Sequence, residues 1–173
     1  MGNGQYSSLI AIGLVAMSMA TTTQAQTSGS TTVADSRPFV VGERLSYDVH
    51  FGVIKVGSGS MEVRGIDTVR GRPAYHTTFR ITGGIPLYSV DDVFESWFAT
   101  DDLASLRFVQ DQNEGSKERE HRYEIYPERR TYDDLTDDKP EQPSVAEPLD
   151  DGSFVYFVRT VPLEVGKTYE FQR

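Results

Sequence analysis

Polar and apolar side chains alternate along most of the chain after residue 36, and this period of two limits the possible folds more than any other feature. The pattern is typical of a β-strand with one buried face, because successive side chains of a strand point to opposite sides. In residues 43–51 the apolar side carries Leu45, Tyr47, Val49 and Phe51. Further strands are predicted over residues 55–64, 74–81, 93–98, 103–110 and 117–126. The chain is therefore expected to form the hairpins of a β-sheet.

Glycine and proline separate these strands, and turns are predicted at residues 70–73, 83–86 and 113–115. Gly57 and Gly59 lie inside the second strand, where they indicate bulges, a sharp bend, or a close approach of another group to the backbone. Only one segment favours a helix, with Ser153 as the predicted N-cap before Phe154 and Pro162 as the stop. These features predict a mainly β fold: a curved antiparallel sheet or an open β-barrel with one short helix.

The composition excludes several function classes. The chain has 173 residues and no cysteine, and 17 Lys and Arg stand against 26 Asp and Glu, so that the net charge is −9. A chain of this length buries a hydrophobic core without disulfides. The absence of cysteine excludes a disulfide framework, a thiolate nucleophile, a zinc ribbon and an iron–sulfur cluster. The acidic balance opposes binding to nucleic acid and tight docking on an anionic membrane, because both depend on basic residues.

The N-terminal segment has the pattern of an export signal. The first 34 residues contain no charged side chain, and residues 9–20 form an apolar block of twelve. This block is shorter than the roughly 20 residues that a membrane-spanning helix needs. Thr23-Gln24-Ala25 follows it as a small-x-small cleavage site. We predict a signal peptide at 1–25, a flexible tether at 26–36 and a single β domain at 37–173, in a periplasmic or secreted protein without a transmembrane segment in its mature chain.

Two segments near the C-terminus depart from the strand pattern. Residues 133–151 contain eight acidic residues, one lysine and three prolines, which predicts a solvated acidic loop. Residues 168–171, with the sequence Thr-Tyr-Glu-Phe, look like a strand that has just started, and the sequence ends at Arg173. We therefore expect a fragment that is incomplete at its C-terminus, with an open sheet edge near Tyr169 and Phe171.

Histidines and carboxylates are the first candidates for metal binding or acid–base chemistry. His50 and His76 lie on the polar faces of predicted strands that are potential neighbours, and His121 lies on a later strand. Five carboxylates lie close together in sequence: Asp91, Asp92, Glu95, Asp101 and Asp102. Because Asp91 and Asp92 are adjacent and no calcium-loop motif is present, a structural role is expected, with one aspartate capping a turn and the other pairing with an arginine. No metal site is predicted; the candidate ligands of one would be His50, His76 and Asp92.

Nucleophile and phosphate-binding motifs are missing from the sequence. The segment 57–60, Gly-Ser-Gly-Ser, resembles a serine elbow only superficially, because such an elbow needs a strand, a turn and a helix. No glycine-rich loop leads into a helix with Lys-Ser or Lys-Thr. One face of the strand over residues 117–126 is basic and the other acidic, with Lys117, Arg119 and His121 opposite Glu118, Glu120 and Glu124. This pattern predicts a charged, exposed hairpin, and the alternative is a small patch for an anionic ligand.

Aromatic residues are the remaining candidates for binding. The sequence has nine Tyr, nine Phe and one Trp, many of them at alternating positions. In a closed core these side chains only pack, whereas in an open, curved sheet they can line a groove for an acyl chain or an apolar peptide. The predicted lining residues are Tyr47, Phe51, Phe79, Phe94 and Trp97.

Residues 39–57 carry a longer motif, aromatic-x-x-Gly-Glu-x-Leu-x-Tyr followed by Gly-x-Ile-x-Val-Gly. This motif resembles the opening of the bacterial domain-of-unknown-function 3108 family, and segments 88–96, 157–163 and 165–167 fit that family in the same order. The resemblance covers residues 38–173. It implies a secreted or periplasmic all-β domain whose members continue through further strands. It implies no reaction, cofactor or catalytic residue, because the family is functionally unassigned.

The first functional hypothesis is a non-enzymatic periplasmic or envelope module without a cofactor. Its partner would be a lipid, another apolar small molecule or an envelope protein, bound on a concave β surface. The second hypothesis is a metal-assisted hydrolase that uses His50, His76 and Asp92. The third is a structural adaptor that exchanges a strand at an open sheet edge.

Overall fold

The computed structural model describes residues 37–137 and 139–171, so the predicted signal peptide and tether lie outside the described residues. The described chain forms one antiparallel sheet whose eight strands follow each other in sequence order. The strands are β1 Arg44–Phe51, β2 Ile54–Val69, β3 Arg72–Ile85, β4 Tyr88–Ala99, β5 Ser105–Glu114, β6 Lys117–Tyr126, β7 Thr131–Asp134 and β8 Gln142–Pro143. One helix, α1, spans Asp151–Thr160. The sheet is not closed, and the predicted mainly β fold with one short helix is confirmed.

The hairpin turns explain why the strands pair only with their neighbours in sequence. Arg70 and Gly71 connect β2 to β3, and their φ angles of 49° and 82° are those of a tight two-residue turn. Gly115 begins the turn between β5 and β6 with a φ of 62°. The turn predicted at residues 83–86 is displaced, because β3 continues through Ile85 and the turn consists of residues 86–87. The strands are thus longer than the alternation alone predicts.

Glycine in β2 and β3 allows two backbones to approach closely. A Cβ atom on Gly57 would lie 2.5 Å from the carbonyl oxygen of Thr82, and one on Gly83 would lie 2.4 Å from that of Val56. The close approach predicted at Gly57 is therefore made by the neighbouring strand. A bulge is also present, because β1 pairs Val49 with Gly57 and then His50 with Lys55, which leaves Val56 without a partner in β1.

The two faces of the sheet carry separate hydrophobic clusters. On the face that packs against α1, which we call the helix face, the buried residues are Phe39, Met61, Val63, Tyr75, Phe98, Leu103, Tyr156 and Phe157. The other side, the opposite face, buries Val69, Ala74, Ala99 and Leu106, with Trp97 packed against them. The register of β3 and β4 explains the division, because the pair Tyr75–Phe98 alternates with the pair His76–Trp97.

Helix α1 begins three residues before the predicted start, so the prediction of Ser153 as N-cap is wrong. Asp150 is the N-cap, and its carboxylate accepts hydrogen bonds from the backbone N–H groups of Gly152 and Ser153, both at 2.8 Å. The Ser153 hydroxyl instead accepts from the N–H of Asp150 at 2.9 Å, which completes a capping box. As a result the helix buries Ser153, Tyr156 and Phe157, whereas Phe154 is exposed.

Two expectations near the C-terminus also differ from the structure. The short strand β8 lies within residues 133–151, the segment predicted to be a loop, and pairs with β7. Residues 168–171 form no strand, so the predicted strand there is wrong. The reason is local, because the hydroxyl of Tyr169 accepts a hydrogen bond from the N–H of Glu164 at 3.0 Å and donates one to the carbonyl of Pro162 at 3.1 Å. These bonds fold the segment back on itself instead of extending it.

An ion pair between Arg159 and Glu43 connects the C-terminal end of α1 with the segment before β1. Arg159 donates to both carboxylate oxygens of Glu43, at 2.6 and 2.9 Å, and to the carbonyl of Pro38 at 2.6 Å. Its guanidinium also lies over the rings of Phe39 and Tyr156. Bidentate geometry and partial burial make such a pair stronger than an exposed one. Helix α1 is thus held across the helix face, near β1.

Candidate ligand-binding face

A continuous row of aromatic rings crosses five strands of the helix face. Consecutive ring centroids are 6.0, 6.5, 6.4 and 6.1 Å apart, and the first three contacts are stacked. We call this set the aromatic row: Phe79 on β3, Phe94 on β4, Phe108 on β5, Tyr123 on β6 and Tyr132 on β7. Aromatic pairs at such separations contribute stabilisation beyond the area that they bury.

The helix covers only part of this row. Its main contacts are with β4 and β3, whereas the row continues over β5, β6 and β7. Phe108, in the middle, is buried, and the other four rings are half-buried. Burial raises the pKa of the Tyr123 hydroxyl, and the nearby negative charge of Asp134 acts in the same direction. Helix α1 and the surrounding residues therefore leave part of the aromatic row accessible to solvent.

The predicted lining residues divide among three places. Tyr47, Phe79 and Phe94 lie on the helix face, where the Tyr47 hydroxyl donates to the sulfur of Met61 at 3.7 Å and burial raises its pKa. Phe51 lies at the end of β1 beside the turn and is 80% exposed. Trp97 lies on the opposite face, so the structure does not place it with Phe94. A strand alternates its faces, and two residues three positions apart in a regular strand point to opposite sides.

On the opposite face, Trp97 belongs to a polar network. Its indole stacks on the His76 ring, with centroids 4.3 Å apart, and donates to Asp67 at 2.9 Å. His76 lies between two carboxylates, with Nδ1 3.2 Å from Asp67 and Nε2 3.1 Å from Glu95. Both contacts become ion pairs when the imidazole is protonated. Further along this face, Glu124 pairs with Arg70 and Arg107, and these pairs are partly buried.

The structure does not bring the candidate metal ligands together. His50 is exposed on β1, where its register partner is Lys55. His76 lies on the opposite face, whereas Asp92 lies in register with Ile81 on the helix face. Asp92 is buried and accepts a hydrogen bond from the N–H of Asn113 at 2.9 Å, and burial raises its pKa. Within the described residues, no group of three His, Cys, Asp or Glu side chains is placed to hold a metal ion.

The other candidate carboxylates form ion pairs and local turns. Arg80 donates to both oxygens of Asp91, at 2.9 and 2.8 Å, and holds the pKa of Asp91 below its ordinary value. Arg72 bridges Asp101 and Asp102, at 2.8 and 2.7 Å. Asp102 also accepts from the N–H of Ala104 in the turn after β4. These contacts are the structural roles expected from the sequence.

The basic residues of β6 share the helix face with the aromatic row. Lys117, Arg119 and His121 lie opposite Glu114, Gln112 and Gln110 of β5 in the register. His121 stacks on Tyr123 with the centroids 6.1 Å apart, and its buried Nδ1 atom has no hydrogen-bond partner among the described residues. The helix face therefore changes along β6 from basic at Lys117 and Arg119, near the start of the strand, to aromatic at Tyr123.

The serines of the segment 57–60 lie inside β2, and Ser58 contacts the hydroxyl of Thr82 at 3.2 Å.

Three members of the aromatic row were not among the predicted lining residues: Phe108, Tyr123 and Tyr132. The sequence does contain a signal for Tyr123, because it continues the alternation of Lys117, Arg119 and His121 on one strand face. The stacking of rings across strands depends on the register between hairpins, which the pattern of a single strand does not contain.

The fold and this face define an open, antiparallel β domain with an incompletely covered aromatic surface. Residues 46–173 match the family described as protein of unknown function, DUF3108, and the chain belongs to that family. The comparisons find no curated protein and no solved structure that matches the chain. None of the helices in the described part of the chain is both long enough and apolar enough to cross a membrane.

Proposed function

We propose that the protein is a non-enzymatic module of the bacterial envelope that binds an apolar ligand on the helix face of its sheet. The observation that carries this proposal is the aromatic row, which continues over β5, β6 and β7 beyond the main contacts of α1. Aromatic surfaces with few polar groups are typical of sites for apolar ligands. The ligand class is an acyl chain or another uncharged hydrophobic molecule.

The proposed location is the periplasm or the extracellular space. It is supported by the uncharged N-terminal segment, its apolar block at 9–20 and the small-x-small site that ends at Ala25. Detection of the mature N-terminus after expression in a Gram-negative host tests this location. An N-terminus at Gln26 supports export, and full-length protein confined to the cytosol contradicts it.

A catalytic function receives no support from the geometry. The hydrolase hypothesis needs His50, His76 and Asp92 in one site, and these residues lie at separate positions on two faces of the sheet. The strand-exchange hypothesis needs a free strand edge at Tyr169 and Phe171, and this segment forms no strand. Binding along the aromatic row is therefore the single function that we propose.

The test uses a neutral fluorescent probe, N-phenyl-1-naphthylamine, whose emission rises in apolar surroundings. We expect enhancement with the wild-type protein and a loss of most of it in Gln110→Arg. Gln110 is the register partner of Phe94, so a long charged side chain there covers the row without removing a ring. The matched control is Val109→Arg, which places the same side chain on the opposite face, beside Glu95.

Circular dichroism and thermal unfolding establish that both variants are folded. Equal enhancement with Gln110→Arg and Val109→Arg would contradict binding on the row, as would an absence of enhancement with the wild-type protein. Mass spectrometry of the purified protein then identifies any lipid that is carried through purification and is lost in Gln110→Arg.

A further inference from the structure

Two hairpin tips flank an open cleft at the end of the sheet. The turn between β3 and β4 and the turn between β5 and β6 lie side by side, and the N–H of Gly115 donates to the carbonyl of Ser89 at 2.7 Å. Between them is a cavity of 570 Å³, within the size range of small-molecule sites. We call it the tip cavity; its wall includes Ile85, Leu87, Tyr88, Gly115, Lys117 and Arg119.

One side of the tip cavity is apolar and open to solvent. Leu87 is fully exposed and Ile85 is 63% exposed, although both are large apolar residues. The Tyr88 ring packs against the Gly115 backbone, where an added Cβ atom would lie 3.1 Å from the ring. Contiguous exposed apolar side chains on a soluble domain indicate a binding surface.

The backbone conformation of Leu87 is a second observation that points to a binding role for its side chain. Leu87 has a φ of 74° and follows Pro86 in the turn. A positive φ at this position of a turn favours glycine or asparagine, and a branched side chain there strains the backbone. Strain of this kind is concentrated at functional sites, and Leu87 differs from the other non-glycine residues with a positive φ, which are Arg70, Leu103 and Arg130, in being a fully exposed apolar side chain. Leucine therefore stabilises the turn less than glycine would, while it supplies the apolar wall.

The other side of the tip cavity carries two cations, Lys117 and Arg119, and one carboxylate, Glu114, so its net charge is positive. Lys117 has no ion-pair partner in the part of the chain that the structure describes. Arg119 lies 4.0 Å from Glu114, which is the outer limit of an ion pair. The two cations outnumber the single carboxylate of Glu114, and beside the apolar wall this excess positive charge complements an anionic group that carries a hydrocarbon chain.

We propose that the tip cavity binds a single-chain anionic amphiphile, with its headgroup at Lys117 and Arg119 and its chain against Ile85, Leu87 and Tyr88. The occupant is the monomer and not an anionic membrane surface, because the net charge of −9 opposes such a surface. This site goes beyond the proposed function. Tyr88 is six residues from Phe94 along β4, about 20 Å, and Arg119 is four residues from Tyr123 along β6, about 13 Å, so the cavity and the aromatic row are separate sites on one face.

The test is calorimetric titration of the full chain with laurate below its critical micelle concentration. We expect the double variant Lys117→Gln/Arg119→Gln to weaken laurate binding about tenfold. The matched control is Lys55→Gln, which removes an exposed cation near the turn between β1 and β2 that already pairs with Asp48 at 2.6 Å. This control is expected to bind laurate like the wild type.

A second variant separates binding from folding. Leu87→Gly removes the apolar wall and relieves the strained φ, so we expect weaker laurate binding together with a higher urea midpoint of unfolding. Weaker binding caused by a damaged fold would be accompanied by a lower midpoint. Neither variant is expected to change the naphthylamine signal of the aromatic row, so failure of this site is distinguishable from failure of the proposed function.

Three outcomes would overturn the proposal. The first is no laurate binding, or laurate binding unchanged in both variants. The second is equal binding of dodecyltrimethylammonium, which has the same chain and the opposite charge. The third is binding to phosphatidylglycerol vesicles without binding to laurate, which would assign the hairpin tips to a membrane surface.

Discussion

The two faces of the sheet stabilise their aromatic residues in different ways. On the helix face, Phe79, Phe94 and Phe108 stack on one another without polar partners. On the opposite face, Trp97 stacks on His76 and donates a hydrogen bond to Asp67. Apolar rings that retain exposed surface gain free energy from any ligand that covers them, whereas a hydrogen-bonded and ion-paired side chain already has its partners. The comparison therefore supports the helix face as the proposed binding surface, whereas the aromatic residues of the opposite face are held by polar contacts within the protein.

The largest effect is expected where the helix face is fully covered. Phe98 is completely buried beneath α1, and Phe98→Ala should lower the free energy of unfolding by about 3–5 kcal/mol. Its neighbour Trp97 is half-buried on the other face, so Trp97→Ala should cost no more than about 2 kcal/mol. Urea denaturation of both variants measures the difference, and equal losses would contradict the division of the core between the two faces.

The pH dependence of stability tests the cap of the helix that covers the helix face. Burial raises the pKa of Asp150 from 3.8 to about 6, although hydrogen bonds from Ser153, Ser96 and Gly152 favour its charged form. Between these two values the folded protein binds more protons than the unfolded chain. The free energy of unfolding therefore falls as pH rises through this window, by about 3 kcal/mol in total.

The variant Asp150→Asn isolates this contribution. Asparagine caps a helix as well as aspartate does but does not titrate. The stability difference between the wild type and Asp150→Asn should change between pH 4 and pH 6 and should be constant above pH 7. A difference that is constant across pH 4–6 would contradict the raised pKa.

An intermediate effect is expected for the ion pairs of the opposite face. Glu124 is partly buried between Arg70 and Arg107. Glu124→Gln should lower the free energy of unfolding by about 2 kcal/mol, because hydrogen bonds to charged groups are lost. Glu118→Gln, an exposed change on the same strand, is the matched control. Chemical denaturation at low and high salt compares them, and equal effects would show that the pairs of Glu124 contribute no more than surface charge.

The smallest effect is expected at His76. His76→Phe preserves an aromatic ring over Trp97 and removes both carboxylate contacts, so we expect a change of less than about 1 kcal/mol. Urea denaturation measures this change. A larger loss would show that the carboxylate contacts of His76, and not the stacking, determine the stability of this part of the opposite face.

Local alternation was sufficient to predict which residues of one strand share a face. It correctly placed Lys117, Arg119 and His121 together, and it correctly indicated the open antiparallel sheet. The predicted lining set contains both Phe94 and Trp97, although the three-residue interval between them places their side chains on opposite faces of a regular strand.

Features that depend on competition between neighbours were not predictable in this way. Asp150 and Ser153 are both good N-caps, and only the fit of the helix against Ser96 and Ser105 decides between them. The strand predicted at residues 168–171 does not form, because the hydroxyl of Tyr169 bonds to the carbonyl of Pro162 and folds the segment back after the turn at residues 165–166. Such contacts depend on where the folded chain places these side chains, and the alternation of polar and apolar residues does not predict those positions.

The sequence-ordered pairing of the sheet has a consequence for folding kinetics. Every strand pairs with its neighbours along the chain, so each hairpin can form before distant segments meet, and such local topologies fold faster than sheets with crossed connections. Because the turn at Arg70 and Gly71 is tight, we expect the hairpin of β2 and β3 to form first and the other strands to pair onto it in sequence order. The contact between Arg159 and Glu43 joins residues 116 positions apart, and the loop that it closes is long. Docking of α1 is therefore expected to be the last step, so that the helix face stays uncovered for longest on the way to the native state.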